Sequence, residues 1–362
     1  MKEEEVIQLT HKEHLKIQSD PKKAAKAVDL RYVSDAEPGI SRVKKGKSFA
    51  YTFGGKPLRN KAEIERIRKL VLPPAWTKVW ICRYPNGHLQ ATGIDALGRK
   101  QYKYHVLWQK LRNETKFHRL LEFGKALPAI RLQVEKDICK KELTERKVLA
   151  TIVSLMERTF IRIGNESYEK MYGSYGLTTL KDGHVNIHGA EINFSFKGKK
   201  GVYHNIALKS KRLAKIVQAC RDIPGKELFQ YYDEDGQRKS VDSGTVNNYI
   251  HEVAGQEFTA KDFRTWAGSV AILRSFRTIG KATTASQVKK DVVAALDEVS
   301  KKLGNTRTIC KKYYVHPQLV RLYEENGLDK YLEELDQLEK CDSTTDLTND
   351  EKILMKILKA NA

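Results

Sequence analysis

Near residue 105 the hydrophobic pattern changes period, and that change requires at least two differently built parts. Before it, apolar and polar residues alternate in short runs at 48–53, 78–84 and 88–94, the period of strands with one buried face. An Asn86-Gly87 pair between the last two runs predicts a hairpin. After the change, Val106, Leu107, Leu111, Leu120 and Leu121 recur at helical spacing as far as about Phe123. The Ala126-Leu-Pro-Ala segment is expected to break that helix, with two further helices ending near Phe160.

One β insertion, 177–208, sits among the later helices. Its strands 192–196 and 202–207 flank a Lys197-Gly-Lys-Lys-Gly201 turn, and an Asp182-Gly183 turn precedes them, so a three-stranded sheet is expected. Helices are predicted near 210–221, 243–254, 260–276, 285–303 and 306–314, with an acidic helical pair from 328. The fold class is therefore α+β: a small antiparallel β N-terminal domain with one helix near 61–71, then a mainly helical domain with an embedded three-stranded sheet. At roughly 100–200 residues per domain, a chain of 362 residues has length for two or three. The expected division is a weakly helical or poorly ordered extension at 1–28, a β-rich domain at 29–104, a helical domain at 105–325 and an acidic helical tail at 326–362.

The net charge of +21 is uneven. Residues 1–28 carry +1 and 326–362 carry −4, which leaves +24 on 29–325. Polyanions are the natural partners of such a segment, because each phosphate neutralised by Lys or Arg releases condensed counterions. No run approaches the ~18 apolar residues of a membrane span, and the start lacks a secretion signal, so a cytoplasmic protein is expected. Cys82, Cys139, Cys220, Cys310 and Cys341 are scattered, without a C-x-x-C pair, and read as reduced thiols.

Several chemistries lack their signatures. Neither G-x-x-x-x-G-K-[ST] nor G-x-G-x-x-G occurs, so no nucleotide cofactor is expected. Asp233-Glu-Asp-Gly236 reads as a turn, not a two-metal site. His184 and His188 are four apart, but in a segment that reads as strand, so no metal is expected.

Four features remain: Arg162 in Phe160-Ile-Arg-Ile-Gly-Asn165, Lys199 at the hairpin tip, Arg264 in Lys261-Asp-Phe-Arg-Thr-Trp266, and Tyr313-Tyr314 after Gly304-Asn305-Thr306. In order and local context these segments resemble the catalytic segments of type IB DNA topoisomerases, particularly the compact poxvirus and bacterial forms. The resemblance spans about 29–325. It includes Gly98-Arg-Lys-Gln-Tyr-Lys-Tyr104, which looks like that family's DNA-contacting strand and implies DNA contacts by Arg99, Lys100, Gln101, Tyr102 and Tyr104, joined on the hairpin by Lys197 and Lys200.

The resemblance implies a monomer acting on double-stranded DNA at the bacterial nucleoid, with a 3′-phosphotyrosyl intermediate and neither ATP nor metal. In that family the tyrosine lies nine residues after a Gly-[His/Asn]-Thr position, which from Asn305 gives Tyr314. Lys199 matches the Phe-x-Gly-Lys pattern of the general acid, with Lys200 its competitor. Arg162 and Arg264 take the phosphate clamp, and Asn305 stands where His is commoner. The chemistry is consistent: forming a free tyrosine anion at pH 7 costs roughly 4 kcal/mol, and preorganised guanidiniums offset that cost at a phosphorane. A tyrosine recombinase shares the Arg, Lys, Arg, Tyr set, but Lys261, which the resemblance places among the catalytic residues and where recombinases usually carry His, and the β-rich first domain favour the topoisomerase. A non-catalytic basic DNA-binding protein is the remaining alternative.

Overall fold

A computed structural model describes residues 9–46, 48–339 and 344–360. It divides into two compact units that meet in sequence between Arg119 and Leu120. The boundary lies inside a helix rather than at 104/105, because Trp108 and Leu111 on that helix's first turns belong to the core of the first unit.

The first unit begins with α1 (His11–Gln18) and α2 (Pro21–Lys26). Residues 1–8 of the expected extension lie outside the described residues, but the remainder corrects that expectation. Thr10 and Glu13 form a reciprocal cap on α1, and Asp20 caps α2. Ile17, Ala24, Ala25, Val28 and Leu30 are buried together with Trp108 and Leu111. Two short helices each supply only one or two apolar residues, so no sustained stripe is visible in the sequence.

The strands β1 (Ile40–Lys45), β2 (Ser48–Phe53) and β3 (Lys56–Pro57) precede α3 (Lys61–Lys69). Then come β4 (Thr77–Ile81), β5 (Leu89–Ile94) and β6 (Lys100–Tyr104). They form one antiparallel six-stranded sheet in the order β3-β2-β1-β4-β5-β6, which leaves β6 as an edge. β4 and β5 pair as Asn86-Gly87 predicted, yet not through a two-residue turn. Residues 82–88 make a wider connection, in which the Gly87 N–H donates to the Tyr84 carbonyl at 3.0 Å.

The helix α4 (Val106–Ile138) runs unbroken through Pro128, against expectation. Phe123, Leu127 and Ile130 are buried on either side of it, and their burial outweighs the lost backbone bond. From Leu120 onward α4 belongs to the second unit. That unit is centred on α5 (Glu145–Thr159), where every residue from Val148 to Met156 is buried. It continues with α6 (Glu166–Tyr172) and the sheet β7 (Val185–His188), β8 (Glu191–Lys197) and β9 (Tyr203–Lys209). Ile192, Phe194 and Phe196 alternate inward along β8. The turn between β7 and β8 falls at Gly189-Ala190, with Gly189 at φ +60°, whereas Asp182-Gly183 opens a 3-10 turn ahead of β7.

Next are α7 (Lys211–Arg221), the hairpin β10 (Gln230–Tyr232) and β11 (Arg238–Ser240), and α8 (Ser243–Ala254). The acidic run at 233–236 is the turn of that hairpin. The chain then forms α9 (Ala260–Ile279), α10 (Ala285–Leu303), α11 (Arg307–Tyr313), α12 (Pro317–Glu324), α13 (Asp329–Gln337) and α14 (Asn349–Lys359). The hairpin and α12 are too short for a periodicity argument.

The expected tail proves to be core. Ile353, Leu354, Ile357 and Leu358 of α14 are buried in the main cluster. Glu351, 5% exposed, takes Arg131 in a two-pronged pair at 2.7 and 2.9 Å and accepts from the Trp266 indole at 2.9 Å. Burial alone would raise the Glu351 carboxyl, but Arg131 brings it below its ordinary value. Cys82, Cys139, Cys220 and Cys310 are free thiols, whereas Cys341 lies outside the described residues. Among the described residues no helix is long and apolar enough to cross a membrane.

Three histidines join α1 to α4 within the first unit. His14, 2% exposed, bonds Thr115 at 3.0 Å and stacks on His118 at 4.1 Å, while the ring nitrogens of His11 and His118 approach to 3.1 Å. Burial, then the charges of His14 and His11, push His118 down to about 4. A depressed histidine leaves the folded state neutral while the unfolded chain takes the proton, so its contribution is present above the unfolded value and lost as pH falls. Stability of the first unit is therefore expected to decline between about pH 6.5 and 4. His118→Phe should flatten that decline, as read by thermal unfolding across the range, and an unchanged slope would refute it.

Candidate active site

The site begins where α5 ends. Phe160 takes a left-handed conformation, φ +57°, and turns the chain out of the helix, with Ile161 buried behind it. The stretch Arg162–Gly164 is held by its neighbour strand-wise: the Leu177 N–H donates to the Arg162 carbonyl at 2.8 Å and the Thr178 N–H to Ile163 at 2.6 Å. Arg162 is half-buried. Its guanidinium donates to the Gly304 carbonyl at 3.0 Å and, by a short bond, to Asn305 Oδ1.

Arg264 stands on the first turns of α9 and is only 5% exposed. One terminal nitrogen donates to the Phe160 carbonyl and the other to Leu303 at 2.7 Å, which fixes the end of α5 against the end of α10. Its guanidinium carbon lies 5.3 Å from the centre of the Tyr314 ring. Burial, then the charge of Arg264, push Arg162 down to about 10, and burial lowers Arg264 as well. A guanidinium keeps its proton in proteins, so both are cations at pH 7.

Two buried donors in this nest have no hydrogen-bond partner among the described residues: Arg264 Nε and Asn305 Nδ2. Because Arg162 can only donate, its bond to Asn305 Oδ1 fixes the amide orientation and turns Nδ2 away from it. Unpaired buried N–H groups cost of order 1–3 kcal/mol each, and here two of them lie with two desolvated guanidiniums. An anion with several acceptor oxygens would satisfy both guanidiniums and the Asn305 amide.

Tyr314 ends α11, its N–H bonded to Cys310 at 2.9 Å. Burial pushes the Cys310 thiol up to about 11 despite Arg264 and Arg162 nearby, so it is inert packing. On α9, one turn past Arg264, Gly268 lies so close that a Cβ there would overlap the Tyr314 carbonyl oxygen. Ser269 accepts from the His316 N–H at 3.0 Å. One helix thus carries Arg264 and the seat for the tyrosine backbone. The Lys312 ammonium lies 5.5 Å from the centre of the Tyr313 ring.

The hairpin lysines are less engaged. Lys199 and Lys200 occupy a 3-10 turn at the tip between β8 and β9, both exposed, with Lys200 at φ +63°. The Lys199 ammonium lies 5.3 Å from the ring centre of Tyr168 on α6, and Lys197 is exposed on β8. Lys261 is exposed on the first turn of α9. In the first unit, Arg99 pairs with Asp95 at 2.6 Å and Lys100 with Asp35 at 2.5 Å, and Gln101 also donates to Asp95. Tyr102, 48% exposed, stacks on Tyr104. The structure thus brings Arg162, Arg264, Asn305 and Tyr314 together, and shows Arg99 and Lys100 already bound to acids. Sequence reasoning passed over Gly268, Ser269, Tyr168 and His204. A small residue one turn after the helical arginine is the only trace that points to the first two.

A family model described as "Eukaryotic DNA topoisomerase I, catalytic core" matches residues 105–341, and one described as "Bacterial DNA topoisomerase IB, N-terminal domain" matches 48–95. The chain is 33% identical to DNA topoisomerase 1B of Acanthamoeba polyphaga mimivirus over 80% of its own length and 88% of the relative's. It is 28% identical to the DNA topoisomerase 1B of Vaccinia virus (strain Western Reserve), over 66% and 73% of the two chains. A match at 24% identity to DNA topoisomerase 1 beta of Arabidopsis thaliana covers 60% of this chain and 24% of that one.

Gly268→Ala tests the seat of the tyrosine. Displacing Tyr314 by a few tenths of an ångström or more is expected to slow covalent chemistry at its hydroxyl by about 10–100-fold, and the clash with its backbone to lower the thermal midpoint as well. Single-turnover rates beside thermal unfolding would check this, and an unchanged rate would refute it.

Proposed function

The chain belongs to the type IB DNA topoisomerases, and from that membership we propose that Tyr314 is its nucleophile and Arg162, Arg264 and Asn305 its phosphate cradle. The family changes the topology of duplex DNA by cutting one strand through a phosphotyrosine and resealing it. The Tyr314 hydroxyl loses its proton to water and its oxygen bonds to phosphorus, while the bond from phosphorus to the 5′ oxygen breaks and that oxygen takes a proton from Lys199. A phosphodiester is exchanged for a phosphotyrosine, so the bond energy is retained and the reverse attack reseals the strand without nucleotide hydrolysis.

The observation that carries this reading is the pair of buried unpaired donors, Arg264 Nε and Asn305 Nδ2, beside Arg162 and the Tyr314 ring. A pentacoordinate phosphorane presents the charge and the acceptors they lack. Preorganised donors aimed at developing charge are each typically worth ~10²–10³ in rate. Lys261, exposed one turn before Arg264, is suited to a flanking phosphate rather than the reacting one. Lys197 and Lys200 of the second unit, and separately Gln101, Tyr102 and Tyr104 of the first, are proposed DNA contacts in which phosphate outweighs base reading, with Arg99 and Lys100 contributing as their acids yield. DNA of the bacterial nucleoid, in the cytoplasm, is the proposed substrate in the cell.

Supercoiled plasmid incubated with the protein in chelator, without ATP, should be relaxed whether its supercoils are negative or positive. Relaxation of one sign only, or a need for ATP, would overturn the reading. Tyr314→Phe should abolish relaxation and the covalent adduct while DNA binding persists, and Tyr313→Phe should keep substantial activity. The reverse outcome would move the nucleophile by one residue.

Arg162→Ala should slow cleavage and religation together by roughly 10²–10⁴, since both directions cross one phosphorane. Arg264→Ala should do the same and also lower the thermal midpoint, because the Phe160 and Leu303 carbonyls lose their donor. Weakened DNA binding with an unchanged single-turnover rate would make either arginine a binding residue only.

A further inference from the structure

The lysine hairpin and the loop at 304–305 are a hundred residues apart in sequence, and one side chain stands between them. His204 on β9 faces Phe196 across the sheet register, their rings 5.1 Å apart and inclined by 23°. A Cβ placed on Gly198 would lie 2.5 Å from His204 Cδ2, and one placed on Gly304 would lie 2.5 Å from Cε1. Real Cβ atoms do not approach so closely, so only glycine at both places admits the ring. Gly198 immediately precedes Lys199. Gly304, at φ +57°, gives its carbonyl to Arg162 and is followed by Asn305.

We infer that His204 is a positioning residue: its imidazole, wedged between Gly198 and Gly304, sets the base of the Lys199 hairpin against the Arg162–Asn305 cradle. The hairpin needs such a stop. Its tip is exposed, and the Lys199 ammonium rests over Tyr168 rather than in the cradle, so the reach of Lys199 to a phosphate depends on where the hairpin's base is held. A neutral aromatic ring suits the place. Burial, then Arg162 and Arg264, lower the imidazole from its ordinary value, and a cation there would repel both arginines.

The inference rests on Lys199 being the proton donor, and a single experiment separates the two. Single-turnover cleavage is measured on an ordinary duplex and on one with a 5′-bridging phosphorothiolate at the cleavage site, whose sulfur leaves without a proton. His204→Ala is expected to cut the ordinary duplex about 10–100-fold slower than the parent protein, yet to cut the phosphorothiolate within about threefold of it. Lys199→Ala should show the same rescue, and the double variant should be no slower than Lys199→Ala alone. Rescue of Lys199→Ala without rescue of His204→Ala, or additive losses in the double variant, would overturn the role of His204 while leaving Lys199 in place. Failure of Lys199→Ala to be rescued would instead remove the proton-donor reading. His204→Leu, which fills the site without a ring, takes the place of the alanine variant should that one unfold, with the same outcomes deciding.

Discussion

The buried guanidinium of Arg264 is the interaction on which the second unit's site depends. With its two terminal nitrogens on the carbonyls of Phe160 and Leu303, it closes two helix ends that would otherwise carry unsatisfied acceptors. Arg162 follows Phe160 by two residues, and Asn305 follows Leu303 by two. One side chain therefore fixes the register of the two loops that supply the rest of the cradle. Its own helix is held from behind, where Trp266 reaches Glu351 and Glu351 takes Arg131. Breaking such a buried pair leaves an uncompensated charge, at a cost of several kcal/mol. That is the physical reason α14 belongs to the core and is not an appendage.

The same arrangement keeps positive charge where it is costly. Arg162 and Arg264 repel each other in a partly desolvated space, and among the described residues Arg264 Nε and Asn305 Nδ2 have no acceptor. Much of the favourable energy of the site is thus withheld until a polyanionic group enters, and it is largest when charge on that group is greatest. A site of this kind stabilises a phosphorane more than the phosphodiester it forms from. Lys199 stands outside it in the free protein, consistent with a proton donor brought in with the DNA.

The first unit presents its charge differently. Arg99 and Lys100 are already paired with Asp95 and Asp35, so at the proposed DNA contact on β6 a phosphate would have to compete with carboxylate, at a reduced gain per contact. The acids hold these side chains in place on an edge strand, where pairing with another chain is the standing hazard. The stacked Tyr102 and Tyr104 add an apolar face beside them.

Much of this was legible in the residue order. The change of period near 105, the strands at 48–53 and 89–94, the three-stranded insertion and the helices from 211 to 313 follow from side-chain alternation, which local backbone geometry dictates. The motif order carried Arg162, Arg264, Asn305 and Tyr314 because each sits beside an element end that local sequence marks. What the sequence could not decide depended on partners distant along the chain. Pro128 stays helical because Phe123 and Ile130 are buried around it, α1 and α2 fold because Trp108 and Leu111 cover them, and α14 joins the core because Arg131 awaits Glu351. His204 and Gly268 belong to the same class: nothing in their own neighbourhoods marks them, since their roles consist of fitting against Gly304 and Tyr314. Periodicity is a property of adjacent residues, whereas close packing is settled only when segments far apart in the chain compete for one volume.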